Sequence, residues 1–396
     1  MKKIVLSTLA ALTLGSVAVN ASGVTLYEDA NGQVFTSAAE GRTLVKDKSV
    51  SVFSKADKLK FSGLTYLGVT GKKFQDTTTD TTAQMEIRRA YFQLKAYLLE
   101  DPKSYYRVTF DMSKDATGDE KLRAKYAYLY LNDIAPVTGM EFGLVHRPWH
   151  DYEEHNAWYF RNISKVLMED KDHGPDLSNS ADFGVMFKTK TKYFDADYGI
   201  FNGEGYHAYQ NSQAPSSLSF EWRTTAHILG VNGKDKQTKK TYFDASFFGQ
   251  YNKKHKNVTV GLVQEDQDLV FGGLHTVYNQ PSFLVSAQYI VSKNTSKISD
   301  NTSKQAGSGY SANAEYRLGN DKEYRILARY DSWTSDLIPA GETSKKEDKG
   351  YIFGAAWEMN KNVQWVANTI ITENEKGSAK EANNGAKYMF TAEVRF

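Results

Sequence analysis

Arg89, Lys95, Arg107, Arg123, Lys125 and Arg147 recur at alternating positions in stretches that also carry an apolar set in the opposite phase. Residues two apart on an extended chain share a face. A second group, in 148–172, mixes acids (Asp151, Glu153, Glu154, Glu169, Asp170) with Arg161, Lys165 and Lys171. Rows of fixed charge of this kind select ions and orient polar solutes; they do not make bonds. The signatures of bond-making sites are absent: there is no G-x-S-x-G, no H-E-x-x-H and no phosphate-cradling glycine loop. Asn202-Gly203-Glu204-Gly205 reads as a turn. His146, His150 and His155 lack zinc-motif spacing and His173 is remote, so they read as pore-lining or solvated side chains. With no cysteine, thiolate chemistry and disulfides are excluded. The expectation is a protein without enzymatic activity, metal or other cofactor.

The elements that carry these residues are strands. Ala90, Phe92, Leu94, Ala96 and Leu98 share one face; Arg89, Tyr91, Gln93, Lys95 and Tyr97 share the other. Tyr106, Val108, Phe110 and Met112 oppose Tyr105, Arg107, Thr109 and Asp111. By strict alternation Leu122, Ala124, Tyr126, Tyr128 and Tyr130 share the apolar face against Arg123 and Lys125, and Arg88 also falls on the apolar face, beside a bulge or at an interface. Met140, Phe142 and Leu144 oppose Glu141, Gly143 and Arg147. Two architectures accommodate such strands: a sandwich with the apolar faces inside, or a transmembrane barrel with them outside against lipid. Charges of both signs along the polar faces favour a wet lumen. So does the alternation of short connections (Asn132 to Val137, Thr189 to Thr191) with long ones (70–84, 148–180, 202–217, 373–384).

Candidate strands number seventeen, and a single-chain bacterial barrel has an even count. If Asn279-Gln280-Pro281 is a short turn, only two strands fit between 232 and 280. Segment 256–264 is then an extension or part of a loop, and the count is sixteen, with eighteen as the alternative. The expected fold is therefore an all-β, antiparallel transmembrane barrel over 57–396. The stretch after His146 is its long third outer loop, folded into the lumen, with a short helix between about 152 and 168. Tyr388, Phe390, Ala392, Val394 and Phe396 lie in one phase up to the last residue.

Met1-Lys2-Lys3 followed by an apolar stretch to about Val19 and a small-residue exit reads as a signal peptide over 1–21, cleaved after Ala21 or, alternatively, Ala18. Residues 22–56 form an extension with a possible hairpin turn at Ala30-Asn31-Gly32. The chain has 49 Lys plus Arg and 47 Asp plus Glu, a formal +2 carried by Lys2 and Lys3 of that leader. Removing it leaves 47 of each, a balance that does not point to nucleic acid. Mean hydropathy of -0.55 excludes a multi-span helical membrane protein.

Several short motifs resemble the bacterial phosphate-selective porin O/P family: Arg88-Arg89-Ala90-Tyr91, Gly143 to Trp149 entering the longest loop, Asp182-Phe183-Gly184-Val185, Phe201 to Tyr206, and the C-terminal strand. The resemblance implies a homotrimer of sixteen-stranded outer-membrane barrels, each with its own pore narrowed by an inward third loop. It also implies phosphate preference through a ladder of lumen cations, which this chain matches only in part. On this reading Arg89, Lys95, Arg107, Arg123, Lys125 and Arg147 form a basic wall. Glu153, Glu154 and Arg161 sit on the constriction loop opposite. Strands after the loop supply Asp182, Asp195, Asp197, Glu221 and Asp244 as an acidic neighbour wall. The function expected is passive diffusion of small hydrophilic solutes and inorganic ions across the Gram-negative outer membrane after Sec-dependent export. An adhesin or receptor barrel acting through its loops is the alternative.

Overall fold

Strands with one apolar and one charged face can hide their polar face by closing on themselves. A computed structural model of the chain describes residues 27–30, 34–35, 38–44, 58–75, 83–97, 99–114, 117–203, 205–206, 218–231, 237–297, 303–339 and 341–396. The proposed leader lies outside the described residues. Two compact units separate at Asp57 and Lys58. The first holds a three-stranded antiparallel sheet of β1 (Tyr27–Asp29), β2 (Val34–Phe35) and β3 (Arg42–Leu44), in the order β2-β1-β3. Asn31 and Gly32 of the expected hairpin turn lie outside the described residues.

The second unit is a closed antiparallel barrel of sixteen strands among the described residues. Its first half comprises β4 (Leu59–Phe74), β5 (Gln84–Ala96), β6 (Tyr105–Lys114), β7 (Glu120–Ala135), β8 (Thr138–His146), β9 (Ala181–Lys190), β10 (Phe194–Phe201) and β11 (Leu218–His227). The second half comprises β12 (Tyr242–Val260), β13 (Val263–Gln280), β14 (Phe283–Thr295), β15 (Gly307–Leu318), β16 (Tyr324–Ser335), β17 (Lys346–Asn360), β18 (Val363–Asn374) and β19 (Gly385–Arg395). Each strand pairs with its neighbour in sequence, and β19 closes on β4 with Phe390 opposite Val69. The seam ends in a reciprocal pair: Gly63 N–H donates to Phe396 O at 2.9 Å and Phe396 N–H to Gly63 O at 3.1 Å. The surplus seventeenth segment is the far part of the β12–β13 hairpin, which continues past a bulge from Lys256↔Gln267 to Val260↔Val263.

Phe92, Tyr106, Phe110, Phe142, Phe247, Leu274, Phe353 and Phe390 are exposed on the outer face. Asp111, Glu141, Asp195, Arg223, Gln288 and Arg329 are buried on the inner face. This is a soluble protein turned inside out, and it suits hydrocarbon outside and water within. Connections such as Pro136-Val137 and 361–362 are short at one end of the barrel, here the turn end; 147–180 and 375–384 lie at the other, the loop end.

Two bulges correct the strict alternation. In β5, Arg89 pairs with Tyr66 and Ile87 with Leu67, which leaves Arg88 unpaired between them. In β7, Tyr126 pairs with Thr109 and Ala124 with Phe110, which leaves Lys125 as the extra residue. A bulge re-aims side chains and shifts the phase by one. As a result Arg88 and Arg89 both point inward. Arg123, Lys125 and then Tyr126, Tyr128 and Tyr130 line the lumen, so these tyrosines do not face lipid.

Candidate functional site

The third loop at the loop end, 147–180, enters the barrel and packs on the wall. It begins with Arg147, which is only 1% exposed: Nε donates to Glu221 Oε2 at 2.9 Å, Nη2 pairs with the other carboxylate oxygen, and Nη2 also donates to Gln250 at 2.9 Å. Helix α1 (Pro148–Asn156) follows directly, with proline in its first turn, where the missing N–H costs nothing. The helix thus lies earlier and is shorter than the 152–168 expected from spacing. After it, Trp158, Phe160, Ile163 and Val166 dock individually against Leu327, Ile352, Val366 and Met389, and no helical stripe satisfies that wall. Trp149 stacks on Phe248 with centroids 3.7 Å apart, and Tyr152 donates to Asp244 at 2.9 Å. At the far end of the loop, Asp170 Oδ1 accepts the backbone N–H groups of Asp172 and His173 at 2.8 and 2.9 Å, and His173 Nε2 meets Asp331 at 2.9 Å.

These contacts seat the loop against β11–β19 and leave the β4–β8 wall facing it. On that wall the cations rest on tyrosines. Arg89 binds the Tyr91 hydroxyl and lies 3.8 Å from Asp111; Arg123 lies 3.8 Å from the same Asp111, with its guanidinium 5.1 Å from the Tyr206 ring centre. Lys125 donates to the Tyr91 hydroxyl at 3.0 Å. Lys95 lies over the Tyr105 ring at 4.5 Å, and Arg107 over Tyr126 at 4.9 Å and Tyr128 at 5.7 Å. The structure therefore gathers Arg89, Lys95, Arg107, Arg123 and Lys125 on one side of the lumen. Arg147 does not join them: it is the buried anchor of the loop. Arg88 reaches across to hold the loop through the carbonyl oxygens of Asn162 and Ile163.

Asp151 reaches His146 at 3.8 Å and Lys188 at 3.7 Å, whereas Glu153, Glu154 and Glu169 are spent within the loop or on the wall behind it. Glu154 pairs with Arg161 at 2.9 Å, and Glu169 pairs with Arg161 at 3.1 Å and with Lys165 at 2.7 Å. Glu153 points away from the basic wall and is 2% exposed; its Oε1 accepts from Gln288 at 2.5 Å, while Oε2 is buried with no hydrogen bond within normal distance among the described residues. Burial, reinforced by Asp331 and only partly offset by Arg329, pushes its carboxyl up to about 8, so it is largely protonated at neutral pH. Burial likewise holds the His150 ring down at about 4, and its Nε2–H donates to Ser178 O at 3.2 Å. Burial opposes the charge on His173, but Asp170 and Asp331 outweigh it and raise its pKa. The histidines of the sequence do not converge: His146 meets Arg107 and Glu141, His150 a backbone carbonyl, and His155 its own helix.

The acids of the adjoining wall are also engaged. Asp195 and Asp197 bind Arg223 at 2.5 and 2.8 Å, Glu221 holds Arg147, and Asp182 accepts the backbone N–H groups of Phe183 and Gly203, both at 2.7 Å. Between the loop and the turn end lies a cavity of about 1170 Å³, lined by Lys95, Arg107, Tyr130, Asp151, Lys188 and Arg325 among others.

Neither a family model nor a curated protein sequence matches the chain. Solved structures do match in fold. OmpF of Salmonella typhi, in complex with daunomycin, is 13% identical, with 85% of this chain and 97% of that one covered and a TM-score of 0.60. A loop-deletion mutant of the Vibrio cholerae outer membrane protein OmpT is 12% identical, with 85% and 99% covered and a TM-score of 0.57. A mutant of the Rh. blastica porin is 12% identical, with 85% and 100% covered and a TM-score of 0.52. At such identities the likeness concerns architecture: the barrel is of the sixteen-stranded outer-membrane type that porins share. The resemblance to the phosphate-selective O/P family finds no support beyond that architecture.

Proposed function

We propose that the protein is an outer-membrane porin of a Gram-negative bacterium that passes small hydrophilic solutes and inorganic ions by passive diffusion, with a preference for anions. One observation carries the preference. The lumen cations Arg107 and Lys125 are held by tyrosine rings and hydroxyls, whereas the loop acids Glu154 and Glu169 are held by Arg161 and Lys165. A cation oriented by a π face keeps its field; an acid paired at about 3 Å largely loses it. Phosphate as a favoured anion remains part of the proposal. Residues 1–21 are the exported leader, 22–56 an extension and 57–396 the pore-forming barrel.

A homotrimer is part of the same reading. Tyr and Trp anchor a barrel at the membrane interfaces. Exposed Tyr and Trp are plentiful on β10–β19 (Tyr198, Tyr251, Tyr289, Tyr310, Tyr316, Tyr324, Trp357, Tyr388), but on β4–β9 Tyr106 stands alone among the described residues. A sector without its interfacial girdle suits contact with other subunits. The test is reconstitution in planar bilayers: stepwise conductance is expected, with a reversal potential of anion-selective sign in a KCl gradient. Replacing Arg107 and Arg123 together by alanine should move that potential toward cation selectivity. A folded barrel that stays electrically silent would refute the pore, and an unchanged reversal potential would refute the basic wall.

A further inference from the structure

Arg107 is held on three sides. Its Nε donates to Thr109 Oγ1 at 3.1 Å, and Nη1 donates to the Tyr128 hydroxyl at 3.1 Å and to His146 Nε2 at 3.0 Å. An arginine only donates, so His146 Nε2 accepts, and its Nδ1–H points at Glu141 Oε2, 3.3 Å away. Tyr126 and Tyr128 cover the guanidinium plane. The remaining nitrogen, Nη2, has no hydrogen-bond partner among the described residues, and the side chain borders the turn-end cavity. A guanidinium fixed in this way presents a pre-oriented donor edge, the geometry that suits a carboxylate oxygen.

Beside it runs an aromatic strip. Lys95 is the direct cross-strand neighbour of Arg107, and its ammonium lies over Tyr105. Tyr105 is 5.0 Å from Tyr130 and 5.3 Å from Tyr97, centre to centre, with tilted planes. Tyr105 and Tyr130 are only half-buried and border the same cavity as Arg107. Of the acids bordering this cavity, Glu141 is met by His146 and Lys188, each at 3.3 Å, and Asp151 lies 3.7 Å from Lys188 and 3.8 Å from His146. An inorganic anion would use the charge and gain nothing from the rings. A flat conjugated carboxylate would use both, its carboxylate on Arg107 and Lys95 and its ring offset-stacked along Tyr105 and Tyr130.

We propose that Arg107, Lys95, Tyr105 and Tyr130 form a binding subsite for planar aromatic carboxylates inside the channel. The proposal rests on the pore reading and names one solute class that the pore retains in transit. The test uses single-channel recording in KCl with sodium benzoate, or the puckered cyclohexanecarboxylate of equal charge, added at the turn end. Benzoate should interrupt chloride current at a half-blocking concentration about three- to tenfold lower than cyclohexanecarboxylate, the advantage that ring stacking supplies. Tyr105→Leu should erase that preference and leave benzoate blocking at the level of the saturated acid. Arg107→Lys, which keeps the charge and the fold but not the donor edge, should weaken block by both. Equal half-blocking concentrations in the wild type, or a preference that survives Tyr105→Leu, would overturn the subsite while leaving the pore intact. A barrel that conducts no chloride even without carboxylate overturns the pore reading instead.

Discussion

Glu153→Gln should flatten the pH response of the third loop above neutrality. In the seated loop the Glu153 carboxyl titrates at about 8, against an ordinary value of 4.5 in an unseated loop exposed to water. The seated state therefore holds the proton more tightly, and its stability falls as pH rises between those two values. His150 acts in the opposite sense. It is buried neutral with a pKa of about 4 against 6.5, so seating weakens as pH falls from 6.5 toward 4. From about 4.5 to 6.5 the two slopes cancel. From 6.5 to 8 only Glu153 remains of the pair, and 1.5 units at about 1.4 kcal/mol each is roughly 2 kcal/mol, or about 30-fold in the unseated population. His173 adds to this: its raised pKa means that its contribution is intact below 6.5 and lost as pH climbs through its seated value. The loop does not fall out altogether, because burying Trp149, Trp158, Phe160, Leu167 and Met168 stabilises it by about 1.5–3 kcal/mol per side chain. The assay is the frequency of brief high-conductance excursions in single-channel records between pH 5 and pH 8.5. It should be flat to about 6.5 and then climb at least 30-fold. In Glu153→Gln the alkaline climb should shrink to the His173 part, and a fall between pH 4.5 and 6.5, driven by His150, should appear. A variant that keeps the full wild-type climb would refute the assignment of the proton to Glu153.

Either Arg147→Met or Glu221→Gln leaves one member of a buried pair uncompensated. Each single change should cost about 3–5 kcal/mol and lower the temperature at which the folded barrel shifts mobility on an unheated gel, while Arg147→Met with Glu221→Leu should recover much of the loss. Gly63→Leu should destabilise the closing seam, because a Cβ at Gly63 would sit about 2.0 Å from the Phe396 ring; the readout is the yield of folded barrel in a refolding assay. Phe110→Gln, on the sector poor in Tyr and Trp, should shift native-gel migration from oligomer to monomer, and Phe247→Gln on the opposite side should not. Equal effects of these two changes would count against the proposed subunit face.

Period-two alternation carries the barrel because each strand must satisfy lipid on one face and water on the other. It places β5, β6 and β19 in the phase that the structure has. It fails where a single unpaired residue changes the phase, at Arg88 and at Lys125. A bulge depends on how two strands meet, and nothing in the local sequence of either strand marks it. The misplacement of Tyr126, Tyr128 and Tyr130 follows from that one residue, and with it the tyrosine setting of the cations was hidden. Five of the six wall cations were nonetheless legible, since Arg89, Lys95 and Arg107 lie in phase, and Arg123, before the bulge, and Lys125, at it, both aim inward. Arg147 was not, because its partner Glu221 lies three strands along the wall, on β11. The directions of Glu153 and Glu154 differ for a similarly nonlocal reason: α1 turns one toward Gln288 and leaves the other to Arg161.

A near-balance of 47 acids against 49 bases says nothing about selectivity if every charge is counted alike. The structure distinguishes them by what neutralises each one. Asp195 and Asp197 are matched by a guanidinium within 2.8 Å, and Glu154 and Glu169 within 3.1 Å, so their fields are short-ranged dipoles. Asp111 is shared by Arg89 and Arg123 at 3.8 Å, one acid between two bases. Arg107 is oriented by rings, two hydroxyls and an imidazole, and makes no ion pair with a carboxylate among the described residues. In a lumen of lowered dielectric this difference outweighs the tally, because an ion in transit responds to the nearest uncompensated charge within a Debye length of about 8–10 Å and not to the protein's net charge. A nearly neutral protein can thus present an electropositive path, provided that its acids are tied to arginines and its path-lining cations to tyrosines.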